Sequence, residues 1–114
     1  DMVANLFTKI SHHRSVSVIY ITQNVFHKNK QSRTISLNTH YMVLFKSPRD
    51  AGQISVLGRQ LYPEHGRFLV DAFKDATCTP HSYLLLDLRP ETGEQFRVRA
   101  NIFPNEQQVV YKPK

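Results

Sequence analysis

The stretch Val16-Ser17-Val18-Ile19-Tyr20-Ile21, running into Thr22-Gln23-Asn24, decides the expected architecture. A run this apolar on both faces predicts a strand inside a sheet that is covered on both sides. Polar amides at its carboxyl end stand where open α/β sheets bind ligands. Gln23 and Asn24 are therefore the first candidate site residues.

On the amino side, Val3, Leu6, Phe7 and Ile10 fall at helical spacing and form one apolar stripe, which Ser11–Ser15 interrupts. On the carboxyl side, Asn24 to Asn38 is polar and basic, with Lys28, Lys30 and Arg33, and reads as a loop or a poorly periodic helix. Tyr41–Phe45 is fully apolar and predicts a second buried strand. Ser47-Pro48-Arg49-Asp50 is a helix start: Ser47 and Asp50 can cap each other's backbone N–H, and Pro48 sits where its missing N–H costs nothing. The helix it opens carries Ile54, Leu57 and Leu61 on one face and stops at Pro63. A second helix, with Phe68, Leu69, Ala72, Phe73 and Ala76 apolar, ends before Pro80.

Tyr83–Leu88 predicts a third strand, and Phe96, Val98, Ala100 and Ile102 alternate with polar residues as a half-exposed fourth. Pro90–Gly93 supplies the turn between them, so a terminal β-hairpin is expected. The order of elements predicts an α/β fold with a mainly parallel sheet and that hairpin at its edge. Residues 1–103 form the domain and residues 104–114 a polar tail.

Fifteen Lys+Arg stand against nine Asp+Glu, a net charge of +6. That balance favours a polyanionic partner such as nucleic acid, although solvated surface lysines would give the same count. Cys78 is the single cysteine, so no disulfide can form within the chain, which points to an intracellular rather than a secreted protein. No apolar run approaches the ~20 residues that span a bilayer, so no membrane association is expected. The chain opens on Asp1 inside an amphipathic pattern, which reads as a cut end.

Most catalytic chemistries find no support. The glycines at 52, 58, 66 and 93 precede no Lys-Ser or Lys-Thr at phosphate-cradling spacing. Leu84-Leu85-Leu86-Asp87 superficially resembles a strand ending in a magnesium-holding acid, but a structural strand is the favoured reading. The six histidines are scattered, and Cys78 with His81 gives only an isolated pair, so no zinc spacing is present. No Gly-x-Ser-x-Gly occurs, and no motif activates Cys78. What remains are the strand-end groups: Gln23 and Asn24 on one strand, Lys46 to Arg49 on the other. An amide there could orient water and an arginine could stabilise phosphoryl charge. The alternative is that the amides satisfy loop backbone groups and Arg49 is a solvated helix-start residue.

Taken together, Leu6–Lys9, Ser11–Arg14, Ser17–Asn24, Arg33–Asn38 and Tyr41–Asp50 form an ordered series of segments. The series resembles the genome-packaging ATPases of the FtsK–HerA class, above all those of Polinton (Maverick) transposons and related DNA viruses. The resemblance spans roughly Val3 to Phe103. It implies a partial RecA-like P-loop NTPase sheet whose P-loop and Walker B strand precede this region. It further implies ATP and magnesium in the complete protein, with neither expected on this chain alone. Double-stranded DNA is the implied substrate, a homo-oligomeric ring the implied assembly, and the nucleus or a virus assembly site the implied location. Gln23 would be the strand-end sensor of the γ-phosphate or attacking water. Arg33 or Arg49 would reach a neighbouring subunit's ATP, and Lys28 and Lys30 would contact DNA. The expected function is part of an ATP-driven DNA-packaging motor, inactive alone. The alternatives are a small basic nucleic-acid-binding or adaptor domain, or a degenerate transposon remnant.

Overall fold

The computed structural model describes residues 2–5, 17–21, 38–47 and 51–114. Contacts divide the chain into two units, Asp1–Thr39 and His40–Lys114.

In the first unit, helix α1 covers Met2–Asn5. Leu6, Phe7 and Ile10 of the expected stripe lie outside the described residues. Ser17 to Ile21 form no strand, and Ile19 and Ile21 are 90% and 91% exposed. The central buried strand expected there is thus corrected over residues 17–21, while Val16 lies outside the described residues. An apolar run states which surfaces gain from burial. A strand also needs a neighbour for its backbone N–H and C=O groups, and the run does not supply one.

The second unit is a four-stranded sheet with two helices. Strand β1 is Tyr41–Phe45, helix α2 is Ala51–Leu61, helix α3 is Phe68–Ala76 and strand β2 is Tyr83–Asp87. A 3-10 turn at Glu94–Phe96 leads to strand β3, Val98–Ala100, and strand β4 is Val109–Tyr111. The spatial order is β1-β2-β3-β4, and every neighbouring pair is antiparallel.

This overturns the mainly parallel, RecA-like sheet. The helix count explains the correction. One crossover helix returns the chain to the start of the next strand and gives a parallel pair. Two helices in succession leave it at the end where β1 finished, so β2 runs back along β1, with Phe45 opposite Tyr83 and Tyr41 opposite Asp87. The segment between the helices, Tyr62 to Arg67, contains Pro63 and Gly66, and the Tyr62 and Phe68 rings pack edge to face at 4.9 Å across it.

β2 and β3 form the hairpin expected from the Pro90–Gly93 turn, but β3 is not the edge. The polar stretch beyond Pro104 contains β4, which pairs Val109 with Ala100 and Tyr111 with Val98. β-branched and aromatic residues at 109–111 fit a pleated surface despite their polar flanks.

The core lies between the helices and one face of the sheet. Leu44, Leu84, Leu86, Val98 and Ala100 are buried, as are Ile54 and Leu57 of α2 and Leu69, Ala72 and Phe73 of α3. The helices meet closely at Gly58, where an added Cβ would stand 3.0 Å from that of Leu69. The Thr77 hydroxyl donates to the Phe73 carbonyl at 2.6 Å and satisfies the carboxyl end of α3. Tyr111 Oη donates to Asp75 Oδ2 at 2.5 Å, which ties β4 to α3.

Candidate functional site at the end of strand β2

Alternation along β2 sends Leu84 and Leu86 to the helices and Tyr83, Leu85 and Asp87 to the opposite, outer face. Asp87 is nonetheless fully buried. Its carboxylate accepts from Arg89 N at 3.2 Å and Arg89 Nε at 3.0 Å on one oxygen. The other oxygen accepts from Arg89 NH2 at 2.9 Å and Arg99 NH2 at 2.7 Å. Arg99 sits opposite Leu85 on β3, so it reaches Asp87 along the diagonal of the sheet.

The turn closing this hairpin is held by Arg97. Its backbone carbonyl accepts from the Asp87 N–H at 2.8 Å, and its guanidinium donates to the carbonyls of Asp87 at 2.7 Å and Thr92 at 3.3 Å. Glu94 pairs with it at 2.8 Å. Arg89 also lies over the Tyr41 ring, 5.0 Å from its centre, and so links β1 to the cluster.

The charges set the chemistry. Hydrogen bonds from Arg89 lower the Asp87 pKa from 3.8 to about 2, against the opposing effect of burial. A carboxylate held this far down is a poor base at neutral pH. Its acceptor positions are filled by four N–H groups, and two guanidiniums beside it repel a divalent cation. The resemblance of Leu84–Asp87 to a magnesium-binding strand end therefore has a structural explanation: the acid anchors two arginines and closes a hairpin. Among the described residues, no three of His, Cys, Asp and Glu are grouped to hold a metal.

An open cleft of about 420 Å³ lies beside this sheet, at the end of β1, lined by Phe45, Lys46 and Thr77 to Ser82. Cys78 is exposed there, its Sγ 3.8 Å from the Thr79 hydroxyl. A hydroxyl at that distance is not a general base, so the thiol lacks the arrangement of an activated nucleophile.

Gln23, Lys28, Lys30, Arg33 and Arg49 all lie outside the described residues, as does Asn24. Of the second strand-end set, Lys46 is exposed and Ser47 half-buried. The charged cluster that sequence reasoning missed is Asp87 with Arg89 and Arg99. Its signal was present in the sequence: an acid closing an apolar strand, and arginines alternating on the next strand across a short turn. Among the described residues, no helix is long and apolar enough to cross a membrane. No family model, no curated protein and no solved structure matches this chain.

Proposed function

We propose that the chain is the downstream part of an ATP-driven motor that moves double-stranded DNA, of the FtsK–HerA packaging class. In this reading the phosphate and magnesium ligands come from preceding sequence in the complete protein, and the motor works as a ring in the nucleus or at a virus assembly site. The ordered segments from Leu6 to Asp50 support the class.

Charge placement is the observation that carries the DNA contact. Residues 1–39 hold five Lys+Arg against one Asp+Glu, and residues 40–114 hold ten against eight. In the sheet unit, four arginines lie against acids: Arg67 by Asp71, Arg89 and Arg99 by Asp87, and Arg97 by Glu94. By sequence, the net positive charge is therefore denser in residues 1–39, which include Lys28, Lys30 and Arg33, than in residues 40–114. Such charge grips DNA phosphates without reading sequence. Gln23 is the proposed sensor, and Arg33 or Arg49 the residue that reaches a neighbouring ATP. The antiparallel sheet, with its acid locked between arginines, contributes scaffold rather than catalysis.

The test uses the chain as it stands. The expected outcome is salt-dependent binding of duplex DNA with no ATP hydrolysis. Replacing Lys28, Lys30 and Arg33 together by Ala lowers the slope of log K against log salt by about 2–3. Hydrolysis by this chain that Gln23→Ala abolishes would contradict the assignment of phosphate ligands to preceding sequence. An unchanged salt slope in the triple variant would contradict the assigned DNA contacts.

A further inference from the structure

Two hydrogen bonds on β2 fix which backbone groups of β1 lie at the margin of the sheet. The Leu88 N–H donates to the His40 carbonyl at 2.7 Å, whereas the Asp87 N–H turns away from β1 and donates to the Arg97 carbonyl at 2.8 Å. Bonded and non-bonded pairs alternate along an antiparallel ladder, and Met42 lies opposite Leu86 and Leu44 opposite Leu84. Met42 and Leu44 therefore bond to β2, while Tyr41, Val43 and Phe45 turn their N–H and C=O groups to the other side. Among the described residues, no strand pairs with that side of β1.

The two margins of the sheet are built differently. β4 is three residues long and runs into Lys112-Pro113-Lys114, and shortness, charge and proline all deter a further strand. β1 is five residues long and contains neither a charge nor a proline. Its sequence is also symmetric about Val43, with an aromatic residue at each end, Tyr41 and Phe45, and a flexible apolar residue at each step between, Met42 and Leu44.

We propose that the open edge of β1 pairs with the same edge of a second copy, antiparallel about a two-fold axis at Val43. In this register Val43 meets its own counterpart and Tyr41 meets Phe45 of the second copy. The three N–H and three C=O groups of each edge all find partners. Centring on Met42 or Leu44 instead carries Phe45 or Tyr41 past the end of the facing strand. On the outer face the Tyr41 and Phe45 rings become cross-strand neighbours, and on the inner face Met42 meets Leu44. The contact is isologous and closed, because it joins two four-stranded sheets and leaves the blunted β4 margin outermost on each. Net hydrogen bonds are modest beside the freedom lost on association, so the dimer is weak and reversible. It does not depend on the motor reading.

Amide hydrogen exchange of the whole chain, read residue by residue by NMR from about 50 µM to about 1 mM, tests it. The Met42 and Leu44 amides are expected to be protected at every concentration. Those of Tyr41, Val43 and Phe45 exchange at least about threefold more slowly at the upper end, as the average mass in sedimentation equilibrium rises towards two copies. Val43→Lys sets like charges opposite each other at the axis, on a side chain 47% exposed, and abolishes the concentration dependence. Val43→Pro removes an edge N–H without taking a bond from β2 and has the same effect on Tyr41 and Phe45. Protection at Met42 and Leu44 shows that each variant is folded. Protection of Tyr41, Val43 and Phe45 that is independent of concentration overturns the proposal, because the edge is then filled within one chain. Fast exchange at all three with a constant monomer mass overturns it too, as does a dimer that folded Val43→Lys leaves intact.

Discussion

Asp87→Asn tests how the sheet is held together. The wild-type carboxylate is buried, receives four N–H groups from Arg89 and Arg99, and titrates at about 2 instead of 3.8. That shift corresponds to about 2–3 kcal/mol of stability at neutral pH. Breaking one side of a buried pair can cost about 3–5 kcal/mol. The arginines keep 35% and 20% of their side chains in water, so the lower end of that range applies. The expected loss is therefore about 2–3 kcal/mol at pH 7, or a melting temperature lower by roughly 10–20 °C for a unit of this size.

The sign with pH follows from the lowered pKa. The contribution is complete above the unfolded value and is lost as pH falls through about 4 towards 2. Urea unfolding followed by circular dichroism from pH 7 to pH 2 reads both quantities. The wild-type and Asn curves should lie apart at pH 7 and converge near pH 2. A gap below 0.5 kcal/mol at pH 7, or one that does not change with pH, would refute the reasoning.

The two glycines of α2 predict opposite outcomes. Gly52→Ala meets no atom within 4 Å and should stabilise by up to about 1 kcal/mol, whereas Gly58→Ala presses on the Leu69 Cβ at 3.0 Å and should destabilise by about 1–2 kcal/mol in urea unfolding. Leu84→Ala removes a fully buried side chain beneath the helices and should cost about 2–5 kcal/mol by the same assay. Tyr111→Phe deletes the bond to Asp75 and should cost only about 1 kcal/mol, since Asp75 is exposed and water replaces the donor.

Much of the second unit was legible in sequence because local signals and tertiary packing agree there. Helical spacing picked out Ile54, Leu57, Leu69, Ala72 and Phe73, all of which the core buries. Apolar runs located β1 and β2, and Pro90–Gly93 located the turn after β2. Strand direction was not legible from the runs themselves, because periodicity reports faces and not polarity. It followed from the number of helices between β1 and β2. β4 was hidden because only three residues, Val109–Tyr111, carry it amid glutamines and lysines. The run through Ile21 shows the same limit: apolar composition alone did not make a strand of residues 17–21. At the site, Asp87 was visible as a strand-end acid, but its partner Arg99 depends on the register of a hairpin.

DNA-stimulated ATP hydrolysis by the complete polypeptide that its gene encodes tests the motor reading most directly. The account predicts hydrolysis in the presence of duplex DNA that falls at least about 100-fold in Gln23→Ala, while ATP binding persists. Absence of both nucleotide binding and hydrolysis in that complete protein, with salt-dependent DNA binding intact, would contradict it and leave a basic DNA-binding domain in its place.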